Sequence, residues 1–170
     1  PEKGALRMNS VQLPDDYKNL WELPNMLLQK FSAEEFTATA KINIKPRFEG
    51  ERFGLVVMGI DYSLIGVTNR GGKTYLSQAT SINADKGTPE TESSPQLLTS
   101  NELYLRVSLK TGAVCNFSYS LDGKNFTAIG EPFTAREGRW IGAKVGLFYT
   151  RPGKFNDAGT ADIDWFRFQK

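Results

Sequence analysis

Histidine is absent from the 170 residues, and cysteine occurs once. The first absence removes Ser-His-Asp and Cys-His nucleophile systems together with the commonest zinc ligand. Cys115 has no partner for an intrachain disulfide. Its place between Val114 and Asn116, in an alternating apolar run, marks it as a small buried hydrophobe rather than a reactive thiol. No stretch approaches the roughly 20 apolar residues of a membrane span. Charge of one sign is lacking too, since 21 basic and 19 acidic residues leave +2, with no Lys/Arg runs interleaved with aromatics. Neither membrane nor nucleic acid is therefore an expected partner. There is no G-x-x-x-x-G-K-[ST], so Gly71-Gly72 and the segment from Gly4 read as turns, not a phosphate loop. The start, PEKGALRMNS, has neither a signal-peptide pattern nor an initiating Met, and the expectation is a piece cut from a longer or processed polypeptide.

What is present is a packable domain with a period of two. At 39% hydrophobic residues the chain can bury roughly 70% of its unfolded surface in one core. Helical periodicity is hard to find. Short alternating segments recur instead: FTATAKINI at 36–44, FGLVVM at 53–58, ELYLRVSL at 102–109, CNFSYSL at 115–121 and AKVGLFYT at 143–150. In the first, Phe36, Ala38, Ala40, Ile42 and Ile44 share one face while Thr37, Thr39, Lys41 and Asn43 share a wet one. Arg70-Gly71-Gly72-Lys73 and Asp122-Gly123-Lys124-Asn125 carry hairpin chemistry. The polar interval from Asn83 to Ser100, with KGTPETESSPQ, reads as a mobile surface loop. Some ten to fourteen short antiparallel strands are expected, in a β-sandwich or else a closed barrel.

The pair Asp162 and Asp164 in ADIDWF raises the question of chemistry. On a regular strand the two would share a face about 7 Å apart, within the range at which inverting glycosidases hold their carboxyls. One strand offers no opposing wall, however, and nothing sets the two pKa values apart. A structural role, bonding loop amides or an arginine, is the stronger expectation. Calcium is the metal such oxygens would suit, with Asp162 and Asp164 leading and Asp61, Asp157 and loop carbonyls in support. No EF-hand spacing is present, and no cofactor is required. Trp21, Tyr62, Tyr75, Trp140, Tyr149 and Trp165 are the aromatic candidates for gripping a sugar or a partner. Trp165 and Phe166 are expected in the core. Trp140 follows the loop Thr134-Ala135-Arg136-Glu137-Gly138 at a sheet end, where loops carry function.

EGERFGLVVMGIDYSLIGV at 49–67, NFSYSLDGKNFTAIGEPF at 116–133, WIGAKVGLFYT at 140–150 and GTADIDWFRF at 159–168 together carry a family likeness. With GALRMNS and LLQKFSAEEFTATAKINIKP nearer the start, the chain resembles the C-terminal β-sandwich of glycoside hydrolase family 43 enzymes, of the β-xylosidase and α-arabinofuranosidase kind. The resemblance covers nearly the whole chain. It implies an all-β, two-sheet, concanavalin A-like (jelly-roll) sandwich that packs on a catalytic five-bladed β-propeller of the same polypeptide. It also implies that the catalytic carboxylates lie on that propeller and that a loop aromatic, best matched by Trp140, reaches the pocket mouth. Tyr62 and Tyr149 join it as expected pocket or interface contacts. A periplasmic or extracellular setting is favoured for the polysaccharide degrader so implied.

Two other readings stand beside this accessory domain. One is an autonomous carbohydrate-binding module whose Tyr- and Trp-lined sheet grips xylan- or arabinan-type oligosaccharides. The other is a sandwich glucanase or lyase, but the E-x-D-x-E strand such glucanases use is absent, Glu90-Thr91-Glu92 being the nearest approach.

Overall fold

A computed structural model describes residues 4–138 and 142–170. In chain order the strands are β1 (Leu6–Asn9), β2 (Val11–Gln12), β3 (Met26–Lys30), β4 (Phe36–Lys45) and β5 (Arg52–Met58). There follow β6 (Tyr62–Arg70), β7 (Lys73–Ser81), β8 (Thr91–Glu92), β9 (Gln96–Leu97) and β10 (Glu102–Lys110). The last are β11 (Val114–Ser120), β12 (Thr127–Ala128), β13 (Phe133–Thr134), β14 (Lys144–Arg151) and β15 (Thr160–Gln169). These exceed the expected number because five of them are two-residue pairs. No helix among the described residues is long and apolar enough to cross a membrane.

The strands form two sheets, as the alternation predicts. One runs β1-β15-β4-β10-β11-β12 with β13 also on β11, the other β2-β14-β5-β6-β7-β8 with β3 on β14 and β9 on β7. Pairing is antiparallel except for β2 with β14. The hairpin at Gly71-Gly72 needs positive φ at both centres, which the two glycines supply at 58° and 73°. It sets the register Arg70↔Lys73 and hence which face of β6 and β7 is buried. The turn at Asp122 joins β11 to β12, also as expected.

Between the sheets lies the main core. Phe36, Ala38, Ala40, Ile42 and Ile44 of β4 all point into it, against Phe53, Leu55 and Val57 of β5 and Phe117 of β11. Truncating Phe117, 2% exposed, to alanine would cost about 3–5 kcal/mol.

A second cluster covers the outer face of the eight-stranded sheet. Val56, Met58, Tyr62, Leu64, Ala79 and Phe148 meet Leu20 and Leu23, with Leu13, Tyr17, Trp21, Met26 and Leu28 around them. The segment 13–28 thus lies across that sheet, so β5, β6 and β14 are sealed on both sides and read as apolar runs rather than clean alternation.

Candidate functional site

The turn between β5 and β6 brings three distant segments together. Asp61, 3% exposed, accepts a hydrogen bond from the Asn83 amide at 2.6 Å and both arms of the Arg136 guanidinium. Arg136 also donates from Nη2 to Asn83 Oδ1 at 2.8 Å. The Ile60 amide donates to the Glu137 carbonyl at 3.3 Å. A side chain at Gly59 would be driven into the Arg136 carbonyl, so glycine is what allows the loop this close. The planar fork matches a carboxylate in two bonds at once, which fixes orientation as well as distance. That fork holds the Asp61 carboxyl below its usual range, against its burial, with the Asn83 amide assisting. Asn83 itself sits at φ 56°, a left-handed conformation that asparagine tolerates better than most residues. Ile82 beside it is half-exposed. The loop fixed by Arg136 leads to Trp140, which lies outside the described residues.

Tyr62 and Tyr149, expected at a pocket or interface, are enclosed instead, 0% and 1% exposed. Tyr62 belongs to the cluster under segment 13–28, where its hydroxyl accepts from the Leu20 amide at 3.1 Å and donates to Glu90 at 2.6 Å. Glu90 in turn takes two hydrogen bonds from Arg52, at 2.6 and 2.8 Å. Burial alone would raise the Glu90 carboxyl, but the Arg52 bonds outweigh it and hold it low. Burial pushes the neighbouring Tyr17 phenol up to about 12. Tyr149 packs in the main core against Phe53, its hydroxyl end near Glu51.

These contacts correct the expectation of a mobile loop at 83–100. The segment carries a short 3-10 turn at Ala84–Lys86, pairs β8 and β9 onto β7, and plants Glu90 in the interior. Sequence reasoning passed over Glu90 because its neighbours from Thr88 to Gln96 are turn-forming or polar, and nothing local marks its distant partner.

Glu51 is the other carboxylate that reading missed. It is 0% exposed and accepts from Ser10 Oγ at 2.5 Å and from the amides of Arg47, Phe48 and Gly159 at 2.5, 3.1 and 2.7 Å. Burial works against its charge, yet these four donors more than compensate and its pKa falls.

In ADIDWF the strand is not regular. The register on β4 shifts between Ile163 and Trp165, so Asp164 is an inserted residue, a β-bulge. Ala161 and Ile163 face inward before it and Phe166 and Phe168 after it. Trp165, expected in the core, is therefore turned to the outer face, where it packs near Tyr104 with Arg167 over its ring. The aspartates that calcium would suit each meet a cationic side chain. Asp162 takes two bonds from Arg7 at 2.6 and 2.8 Å, and Asp164 takes one from Lys41 at 2.6 Å. Asp61 is held by Arg136 and Asp157 by Arg47. No group of three or more His, Cys, Asp or Glu among the described residues is placed to hold a metal. Asp162 thus bonds an arginine, Arg7 on the neighbouring β1, as in the structural role expected of it.

Residues 1–169 match the profile of the β-xylosidase C-terminal concanavalin A-like domain. The chain belongs to this family. Among curated relatives of the β-xylosidase C-terminal domain is a β-xylosidase of Formosa agariphila, 32% identical over 152 residues, which are 88% of this chain and 24% of that protein. A second is the non-reducing end α-L-arabinofuranosidase BoGH43B of Bacteroides ovatus, 26% identical, with 86% of this chain and 28% of that protein matched. The chain thus spans about a quarter of the curated relatives it matches. Among solved structures, a bifunctional GH43-CE protein of Bacteroides eggerthii superposes with TM-score 0.86 at 23% identity, covering 98% of this chain and 21% of that one. The GH43 protein BlXynB of Bacillus licheniformis gives 0.79 at 19% identity, covering 98% and 33%. These likenesses fix the fold of the β-xylosidase C-terminal domain as the concanavalin A-like sandwich.

Proposed function

We propose that this chain is the noncatalytic accessory domain of a family 43 glycoside hydrolase that degrades xylan- or arabinan-type plant polysaccharides. It packs on the catalytic β-propeller of the same polypeptide, in a periplasmic or extracellular setting, and shapes one side of the substrate pocket. The observation that carries this reading is the Asp61–Arg136–Asn83 tie, which fixes the backbone as far as Glu137, three positions before Trp140. A rim aromatic works only if its loop is held still, because a small misplacement of a positioning group costs much of its effect. The indole supplies a flat apolar face to a sugar. The propeller supplies the acid and the base. The carboxylates of ADIDWF are each bonded to a cation and stand outside the chemistry.

The competing module reading, in which a sheet lined by Tyr and Trp grips the sugar, loses one of its two faces. Segment 13–28 already occupies the outside of the eight-stranded sheet.

In the parent enzyme, Trp140→Ala is expected to lower kcat/KM on short xylo- and arabino-oligosaccharides by about tenfold or more. The isolated chain is expected to hydrolyse none of them. Unchanged kinetics in both Trp140→Ala and Arg136→Gln enzymes would overturn the pocket role. Hydrolysis by the isolated chain, lost in Asp162→Asn or Asp164→Asn, would overturn the noncatalytic reading.

A further inference from the structure

The outer face of the seven-stranded sheet has no counterpart of segment 13–28 among the described residues: Lys41, Tyr104, Arg106 and Trp165 are half-buried there, with Thr39 buried between them. Three strands set its residues in rows. Tyr104 of β10, Lys41 of β4 and Trp165 of β15 stand in one row, and Arg106, Thr39 and Arg167 in the next. The Tyr104 and Trp165 rings approach to 5.9 Å between centroids, bridging above Lys41. The turn after β11 forms a wall at one side, with Gly123 against the Tyr104 ring and Phe126 under the Arg106 guanidinium, 3.4 Å from ring centroid to guanidinium carbon. Beside the second row lies a depression of about 200 Å3 whose lining includes Glu35, Thr37, Arg106, Lys110, Gln169 and Lys170.

The two arginines of this face differ from the other described arginines. Arg7, Arg47, Arg52, Arg70 and Arg136 each meet a carboxylate, and Arg151 donates to the carbonyls of Ser10 and Phe155. Arg106 spends only its Nε–H, on Thr39 Oγ1 at 3.0 Å, and Arg167 lies over Trp165. Neither meets a carboxylate among the described residues. Their positions are two strand spacings apart, about 10 Å across the sheet, within the span over which two long side chains converge on one anion. Arg106 is half-buried, where a guanidinium with free donors is costly to leave unmatched, and Arg167 is exposed; a ligand carboxylate is the bidentate complement of either.

The adjoining row limits what the ligand can be. Lys41 is neutralised by Asp164 at 2.6 Å and flanked by Glu102 at 3.4 Å. These carboxylates accept hydrogen bonds from hydroxyls and repel a polyanion such as nucleic acid. The complement of the whole face is a molecule with one isolated negative charge and a neutral, hydroxyl-rich body that has an apolar side for the aromatic rings.

We propose that this face binds an acidic oligosaccharide. A uronic acid carboxylate lies between Arg106 and Arg167, and the neighbouring sugar rests against Trp165 and Tyr104. The choice of a sugar over another organic acid rests on the carbohydrate-active reading above, whereas the anion site rests on the arginine pair alone.

The test is titration of the 170-residue chain, followed by calorimetry and by tryptophan fluorescence, with three probes. These are xylotetraose bearing one glucuronic acid branch, unbranched xylotetraose, and succinate. The branched acid is expected to bind at least about tenfold more tightly than either of the others, and to weaken as salt is raised. Arg106→Gln and Arg167→Gln should each reduce its affinity by about tenfold with the circular dichroism spectrum unchanged, while Arg70→Gln should not. Equal binding of the unbranched sugar would overturn the anion site, and equal binding of succinate would overturn the sugar. Absence of binding by the branched acid at about 10 mM, weaker than any affinity such contacts would leave, would overturn both. None of these outcomes bears on the Trp140 kinetics of the parent enzyme, so the two proposals fail separately.

Discussion

Glu90 closes both carboxylate oxygens on the Arg52 guanidinium, at 2.6 and 2.8 Å, across 38 residues of chain. Each side chain is 18% exposed, and Tyr62 adds a third bond. Removing one partner strands the other charge beneath segment 13–28. Glu90→Ala is therefore expected to lower the unfolding free energy by about 3 kcal/mol. Urea denaturation followed by tryptophan fluorescence measures it, and a loss within about 0.5 kcal/mol would mean that water reaches Arg52.

Glu51 makes stability depend on acid. Its folded pKa is lowered, so its contribution is complete above the unfolded glutamate value of about 4.3 and fades as pH falls through the folded one. Glu51→Gln turns an acceptor of four bonds into a group that must also donate, at an expected cost of about 2–4 kcal/mol near neutral pH. Thermal melts of the variant should flatten below about pH 4 relative to the wild type. An acid limb as steep as before would assign that limb to other carboxylates.

Gly59 tests the anchoring of the Trp140 loop without touching the loop. Gly59→Ala forces a Cβ into the Arg136 carbonyl. Amide exchange at Ile60, whose N–H donates to Glu137, is expected to accelerate by about tenfold or more, while that of β4 is unchanged. Equal protection in both proteins would show that the loop tolerates the displacement.

Cys115 is sealed in the main core at 0% exposure, and burial pushes its thiol up to about 12. Native protein should react with a disulfide reagent at pH 8 at least about a hundredfold more slowly than protein in urea. Rapid native reaction would mean that the sheet edge at β13 opens readily.

The strands with one wet face were legible in the sequence. Phe36 to Ile44 and Leu103 to Leu109 alternate because only one side of β4 and β10 is buried. Segment 13–28 was not legible as a cover, since Leu20, Trp21 and Leu23 follow no strand or helix period and gain meaning only from Val56 and Phe148. The bulge left a trace that strict alternation overlooks. Ile163 and Phe166, both inward, are three positions apart rather than two, which requires an extra residue between them. Glu90 and Glu51 left none, because each is defined by donors from distant segments. The arginine pair on the outer face of the seven-stranded sheet was hidden for the same reason: Arg106 and Arg167 are 61 positions apart in number and become neighbours only through Thr39 of β4.

β15, the last strand described, lies between β1 and β4, and its Asp162 bonds Arg7 from a position 155 residues away. During synthesis the seven-stranded sheet consequently ends at β4 until that strand is free of the ribosome. The first strand cannot be docked earlier, because its one neighbour in that sheet among the described residues has not yet been made. Completion of the sheet thus waits for the last strand, and a chain that stalls before this ten-residue strand exposes the unpaired edge of β4 to whatever quality control surveys it.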